Sequence, residues 1–158
     1  MARKPDETKY RTSVQFQKRI KTLIDEQDLN KNEFAKAAGV NKEIITRATV
    51  YGIIPSVKSL IKLADYLELP LSYLLGESDD KDFYPIDKST TFYERLKELT
   101  EEEGIKYSTL SSTMTFAKNS IYEWIRTNSL PSLDYLKELA EHFDVSIDYL
   151  LGRTDYKK

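Results

Sequence analysis

The sequence predicts an all-α protein in which one five-helix plan is written twice. Three observations lead there. The chain of 158 residues matches itself at an offset of 76 without a gap. Its apolar residues recur at helical spacing and nowhere alternate as a strand requires. Glycine, proline and asparagine stand at the ends of the periodic runs rather than inside them.

The offset is clearest in the block Tyr-Leu-Leu-Gly, which runs from Tyr73 to Gly76 and again from Tyr149 to Gly152. Upstream, Phe16, Arg19, Lys21, Leu23 and Glu26 fall on Phe92, Arg95, Lys97, Leu99 and Glu102. Lys42 and Ile45 fall on Lys118 and Ile121, and Pro55 and Ser56 on Pro131 and Ser132. Leu60, Leu63 and Ala64 then match Leu136, Leu139 and Ala140. Chance can produce one such block, but a colinear series is the signature of duplication.

Each element follows from local chemistry. In the first copy Phe16, Ile20, Leu23 and Ile24 carry the 3–4 spacing of an amphipathic helix. Asn30 with Glu33 forms the pattern of a capping box and opens a second helix over about residues 31–38. Gly39 ends it, because glycine accepts the left-handed conformation that stops a helix. Asn41 caps a third helix reaching about Val50, and Pro55-Ser56 opens a fourth with Leu60, Leu63, Ala64 and Leu67 inward. Pro70, Leu71 and Ser72 begin a last short turn that buries Leu74 and Leu75. The expected organisation is a basic arm at residues 1–13, a first domain at 14–79, a polar linker at 80–91 and a second domain at 92–158. Fully extended, a dozen linker residues reach up to about 40 Å.

Composition removes several function classes. There is no cysteine, so disulfides, thiolate metal ligands and cysteine nucleophiles are excluded. One histidine, His142, cannot build a multi-histidine site, and no glycine-rich phosphate loop is present. No catalytic residue, metal or cofactor is therefore expected, and Glu101, Glu102 and Glu103 read as a solvated charge run. No apolar stretch approaches a membrane span and no leader pattern opens the chain, so a cytoplasmic protein without a membrane partner is expected. The net charge of −2 hides an asymmetry: residues 1–79 hold 13 basic against 11 acidic side chains, residues 80–158 hold 11 against 15.

The short second and third helices within a five-helix domain have the form of a helix-turn-helix. That form needs a small residue where the helices cross, a turn residue tolerant of positive φ and an apolar residue on the third helix. The first copy supplies Ala35, Gly39 and Ile45, and the second Ser111, Thr115 and Ile121. A β-branched residue such as Thr115 would be strained at positive φ.

With these residues, and with the segment "LPSLDYLKELAEHFDVSIDYLLGRTD", both copies resemble the Cro/C1-type (XRE-like) helix-turn-helix domain of phage and bacterial repressors. The resemblance implies two tandem lambda-repressor-like domains, over about residues 14–79 and 90–155. It implies that the second helix opens on the phosphates at Lys31 and Asn32 in one copy and Tyr107 and Ser108 in the other. The third helix would enter the major groove with Asn41, Lys42, Glu43, Thr46 and Arg47, and in the second copy with Ala117, Lys118, Asn119, Ser120, Tyr122 and Glu123. Lys and Arg can donate to guanine, Asn can pair with adenine and Glu can accept from cytosine. Arg3, Lys4, Lys9 and Arg11 would form an arm tracking the DNA backbone or a minor groove, or an ordinary tail.

The expected function is a sequence-specific, double-stranded-DNA-binding transcriptional regulator, a repressor from a phage, mobile element or bacterium. Two domains in one chain could read half-sites about one turn, roughly 34 Å, apart. Homodimerisation stays open, as does control by an antirepressor or another protein partner. The alternative is a protein-interaction module on the same scaffold, as in an inhibitor or antitoxin, with one or both copies not reading DNA.

Overall fold

In the computed structural model, which describes residues 11–86 and 90–158, all regular structure is helical apart from two isolated bridges. Of the expected arm, Arg3, Lys4 and Lys9 lie outside the described residues; Arg11 lies within them. The chain divides into two compact units, Met1–Asp82 and Phe83–Lys158.

The first unit holds α1 (Val14–Glu26), α2 (Lys31–Ala38), α3 (Lys42–Tyr51), α4 (Val57–Leu67) and α5 (Leu71–Leu74). Polar caps set the starts. The Ser13 hydroxyl accepts from the Phe16 amide at 3.1 Å, and Ser56 accepts from Ser59 at 3.3 Å. The Asn30–Glu33 box is closed in both directions, at 2.8 and 3.2 Å. Burying the apolar stripes makes one core of Phe16, Ile20, Phe34, Ile45, Leu60, Leu63, Leu71 and Leu74, each almost wholly removed from water. Ile45 stands where the helix-turn-helix pattern requires an inward apolar residue.

The second unit repeats the order with α6 (Phe92–Glu103), α7 (Tyr107–Ser112), α8 (Ser120–Thr127), α9 (Leu133–Phe143) and α10 (Ile147–Leu150). Thr91 and Glu94 cap α6 reciprocally. Leu96, Leu110, Ile121, Leu136, Leu139 and Leu150 form its centre. An aromatic cluster joins it: Trp124 lies 5.0 Å from Phe116, 6.4 Å from Phe92 and 6.3 Å from Tyr135, measured between ring centroids.

Tyr-Leu-Leu-Gly closes each unit in the same way. Gly76 has φ +74°, and a Cβ there would stand 2.6 Å from the Gln15 carbonyl oxygen at the start of α1. Gly152 has φ +76°, and a Cβ there would run into the Thr90 carbonyl. Only glycine meets both demands, left-handed backbone and close approach.

Two sequence expectations change. Residues 80–91 are not linker throughout, because Phe83, Tyr84 and Pro85 pack on the second unit. The Thr154 hydroxyl donates to the Tyr84 carbonyl at 2.8 Å, the Tyr84 and Tyr156 rings lie 5.1 Å apart, and Arg153 sits 4.4 Å over Phe83. The second change concerns Thr115. It is not among the positive-φ residues, so the strain expected there is absent. Instead α7 stops at Ser112 and the chain takes a longer path to α8. The Thr115 amide donates to the Glu138 carboxylate at 2.9 Å and its hydroxyl donates to the same group.

Candidate nucleic-acid interface

In the first unit the turn between α2 and α3 is short. Gly39 takes φ +76°, and the Val40 amide returns to the Ala35 carbonyl at 3.0 Å. Ala35 and Ala38 are buried where the helices meet, so α2 can lie close to α3. With Ile45 and Ala48 in the core, the opposite side of α3 faces solvent. Asn41, Lys42 and Glu43 are exposed, while Thr46 and Arg47 are half-buried on the same helix. Lys31 is half-buried at the first turn of α2 and Asn32 is exposed beside it.

Three of these side chains already have partners. The Asn41 side-chain oxygen accepts from the Glu43 amide at 3.0 Å, which commits its acceptor to capping α3. A bidentate pair with adenine needs that same oxygen, so Asn41 acts first as a cap. Glu43 and Arg47 pair across one turn at 2.9 Å. The pair lays the guanidinium along the solvent side of α3 and offsets the acidic charge where phosphates would approach.

The end of α3 is held by groups that the sequence did not single out. The Gln17 amide on α1 donates to the Thr49 and Val50 carbonyls, both at 3.0 Å. Residues 11–13 run antiparallel to the loop after α3: Ser13 donates to Gly52, and Ile54 to Arg11, each at 2.9 Å. Arg11 is thus anchored beside the third helix. Arg47, Ser56 and Ser59 share a hollow of about 250 Å³ with Ile44, Ile53, Ile54 and Pro55, so the end of α3 and the start of α4 open to one side. Helix starts carry partial positive charge and unpaired amides, the features that hold a phosphate.

The second unit departs from this plan. Ala117, Lys118 and Asn119 are exposed but precede α8, which begins at Ser120; they belong to the lengthened turn rather than to the third helix. The physical reason is the run of serine and threonine. The Ser112 hydroxyl donates to the Thr109 carbonyl at 2.6 Å and Thr113 to Leu110 at 2.8 Å, bonds that compete with helix continuation. On α8, Tyr122 and Glu123 are exposed and Ser120 is half-buried. Glu123 bonds Arg126 at 2.6 Å; that hydrogen bond and the neighbouring charge hold its carboxyl below the usual range. Tyr107 is half-buried at the start of α7 with Ser108 exposed next to it, and its ring meets Tyr122 edge-on at 5.9 Å. Burial, then Glu101 and Tyr122, push the Tyr107 phenol above its ordinary value, so it stays a neutral donor.

Among the described residues no group of acidic or histidine side chains could hold a metal ion. His142 is engaged with Glu103 at 2.9 Å, a bond between α9 and the end of α6. No helix among the described residues is long and apolar enough to cross a membrane.

The all-helical first unit, with its short crossing pair and exposed third-helix start, defines a helix-turn-helix domain. Residues 20–74, from within α1 to the end of α5, match the helix-turn-helix family model (HTH_3), about a third of the chain. The protein is also 34% identical over 64 residues to YobD of Bacillus subtilis (strain 168), an uncharacterized HTH-type transcriptional regulator. That alignment takes in 40% of this chain and 57% of YobD, so the chain spans little more than half the length of this relative. No solved structure matches the chain.

Proposed function

We propose that the protein is a sequence-specific, double-stranded-DNA-binding transcriptional regulator, a repressor from a phage, mobile element or bacterium that covers a promoter. The observation that carries this reading is the two-faced third helix of the first unit. Ile45 and Ala48 fix it in the core while Asn41, Lys42, Glu43 and Arg47 stand on the side open to solvent. A helix of that kind fits a major groove, with Lys42 and Arg47 as base or phosphate donors. Lys31, Asn32 and the starts of α2 and α4 would hold the flanking backbone.

The matched offset of 76 residues and the repeated helix order support a duplicated domain, with the second unit reading an unlike half-site through its longer turn. Homodimerisation and an antirepressor or similar protein partner belong to the same proposal. The alternative, a protein-interaction module on the helix-turn-helix scaffold with one or both copies not reading DNA, draws support from the second unit's excess of acidic residues and from Tyr122 and Ile125, which are 53% and 42% exposed on α8.

Titration of the full chain against labelled duplex from its own upstream region, over a salt series, tests the reading. Log affinity should fall steeply and linearly with log salt, since each phosphate contact releases counterions. Affinity that is absent, or flat with salt, overturns it in favour of the protein-binding role.

A further inference from the structure

Resting on the reading of the second unit as a duplex reader, we infer that Tyr122 is its specificity residue and that it selects the C5-methyl group of thymine. The outward side of α8 differs chemically from that of α3. Where α3 exposes Lys42 and Glu43, α8 exposes a ring: Tyr122 is 53% accessible, and Ile125, three residues on, extends an apolar strip at 42%. The charged groups beside the ring, Glu123 and Arg126, are tied to each other at 2.6 Å and neutralise one another. A side chain that presents apolar surface to a major groove meets only one apolar group on a base edge, the thymine methyl.

Tyr122 is also held in place. Tyr107, at the start of α7, packs against it edge-on at an interplanar angle of 76°, so the contact spans both helices of the motif. This arrangement restrains the ring before any ligand arrives, which lowers the ordering cost of binding. Lys106, adjacent to Tyr107, and Lys118, in the turn before α8, are both exposed. Exposed lysines at these places in the chain are the donors that flanking phosphates require. The first unit has Thr46, half-buried, at the position equivalent to Tyr122, and Lys31 at the position equivalent to Tyr107, so it lacks the aromatic pair.

The full chain should first be used to enrich binding sites from a randomised duplex pool. Each thymine of the enriched half-sites is then replaced by uracil, which removes the methyl and leaves every hydrogen-bonding group in place. At one thymine in one half-site the wild type should lose about four-fold in affinity, the effect of one buried methyl. Tyr122→Ala should bind the thymine and uracil duplexes equally, and Tyr122→Phe should keep the preference. Unchanged Trp124 fluorescence reports that each variant is folded, and the uracil series on the wild type needs no variant. Equal binding to thymine and uracil throughout an enriched second half-site overturns the inference and leaves DNA reading by the second unit standing. Enrichment of a single half-site, contacted by the first unit alone, overturns both.

Discussion

The guanidinium of Arg19 lies 3.8 Å over the ring of Tyr73, and 76 residues further on Arg95 lies 4.0 Å over Tyr149. Each arginine also reaches a carboxylate six residues beyond its tyrosine: Asp79 at 3.2 Å and Asp155 at 2.8 Å. The backbone carbonyls of Ser78 and Thr154 accept from the same groups, at 3.4 and 3.0 Å. The first helix of each unit is thereby fastened to its last turn by one cation, one ring, one carboxylate and one carbonyl. This is the physical content of the repeated Tyr-Leu-Leu-Gly block, whose tyrosine is the ring and whose glycine lets the chain pass close to the helix start.

The two fastenings differ in depth. The Arg95 side chain is 8% accessible against 16% for Arg19, and Asp79 is fully exposed. Exposed ion pairs contribute little, whereas a buried guanidinium holding charged hydrogen bonds and a ring contributes more. Arg95→Ala should therefore destabilise the second unit by about 2–3 kcal/mol. Trp124, the chain's only tryptophan, lies among that unit's aromatic residues and reports its unfolding. A urea midpoint by Trp124 fluorescence that does not move in Arg95→Ala would show that the stack is incidental.

Capping and base reading are separable at Asn41. Its oxygen holds the Glu43 amide, so Asn41→Ala should cost about 1 kcal/mol of stability. Asn41→Ser should restore most of it, because serine caps comparably. DNA affinity that follows stability in both variants identifies a cap alone; affinity lost in both, with stability restored in Ser, identifies a base contact as well. Thermal melts and duplex titrations on the same samples decide.

Lys42→Ala and Arg47→Ala should each weaken specific duplex binding by about 1–3 kcal/mol and relax sequence preference in one half-site. Glu43→Gln should act differently. It keeps the shape of the side chain but removes the charge that pairs with Arg47 at 2.9 Å, so non-specific affinity should rise while discrimination falls. Competition between enriched and random duplex measures both quantities, and a rise in discrimination would contradict the assigned geometry.

Much of this architecture is legible in the amino-acid sequence. The spacing of Phe16, Ile20, Leu23 and Ile24 gave the first helix, and Asn30 with Glu33 and Gly39 bounded the second at the residues observed. What escaped was non-local. The offset placed Thr115 where Gly39 stands, but nothing near Thr115 reveals that Glu138, 23 residues away, receives its amide and lets the turn lengthen. The same offset sets Ala117, Lys118 and Asn119 at the start of the third helix, whereas α8 begins at Ser120. The equivalence of Arg19 with Arg95 was plain as letters, yet their tyrosines lie 54 residues downstream and only the folded chain brings them together. Gln17 and Tyr93 hold the ends of α3 and α8 from matched positions through different chemistry, so identity gave no signal.

Tyr93 supplies a pH test of the second unit. Its hydroxyl donates to the Ser129 carbonyl, just beyond α8, at 2.6 Å, and burial raises its phenol above the ordinary value of 10.0. The neutral form is therefore favoured in the folded state more than in the unfolded one. Stability from this group is complete below pH about 10 and is lost as pH rises through the higher folded value, because the folded chain then holds the proton that the unfolded chain has released. Tyr93→Phe should lose about 1 kcal/mol at neutral pH, the net worth of the hydrogen bond, and should show a shallower alkaline decline than the wild type. Urea midpoints from Trp124 fluorescence between pH 7 and 11 give both slopes. Parallel slopes would mean that the phenol titrates alike folded and unfolded, and that the end of α8 is held by its backbone alone.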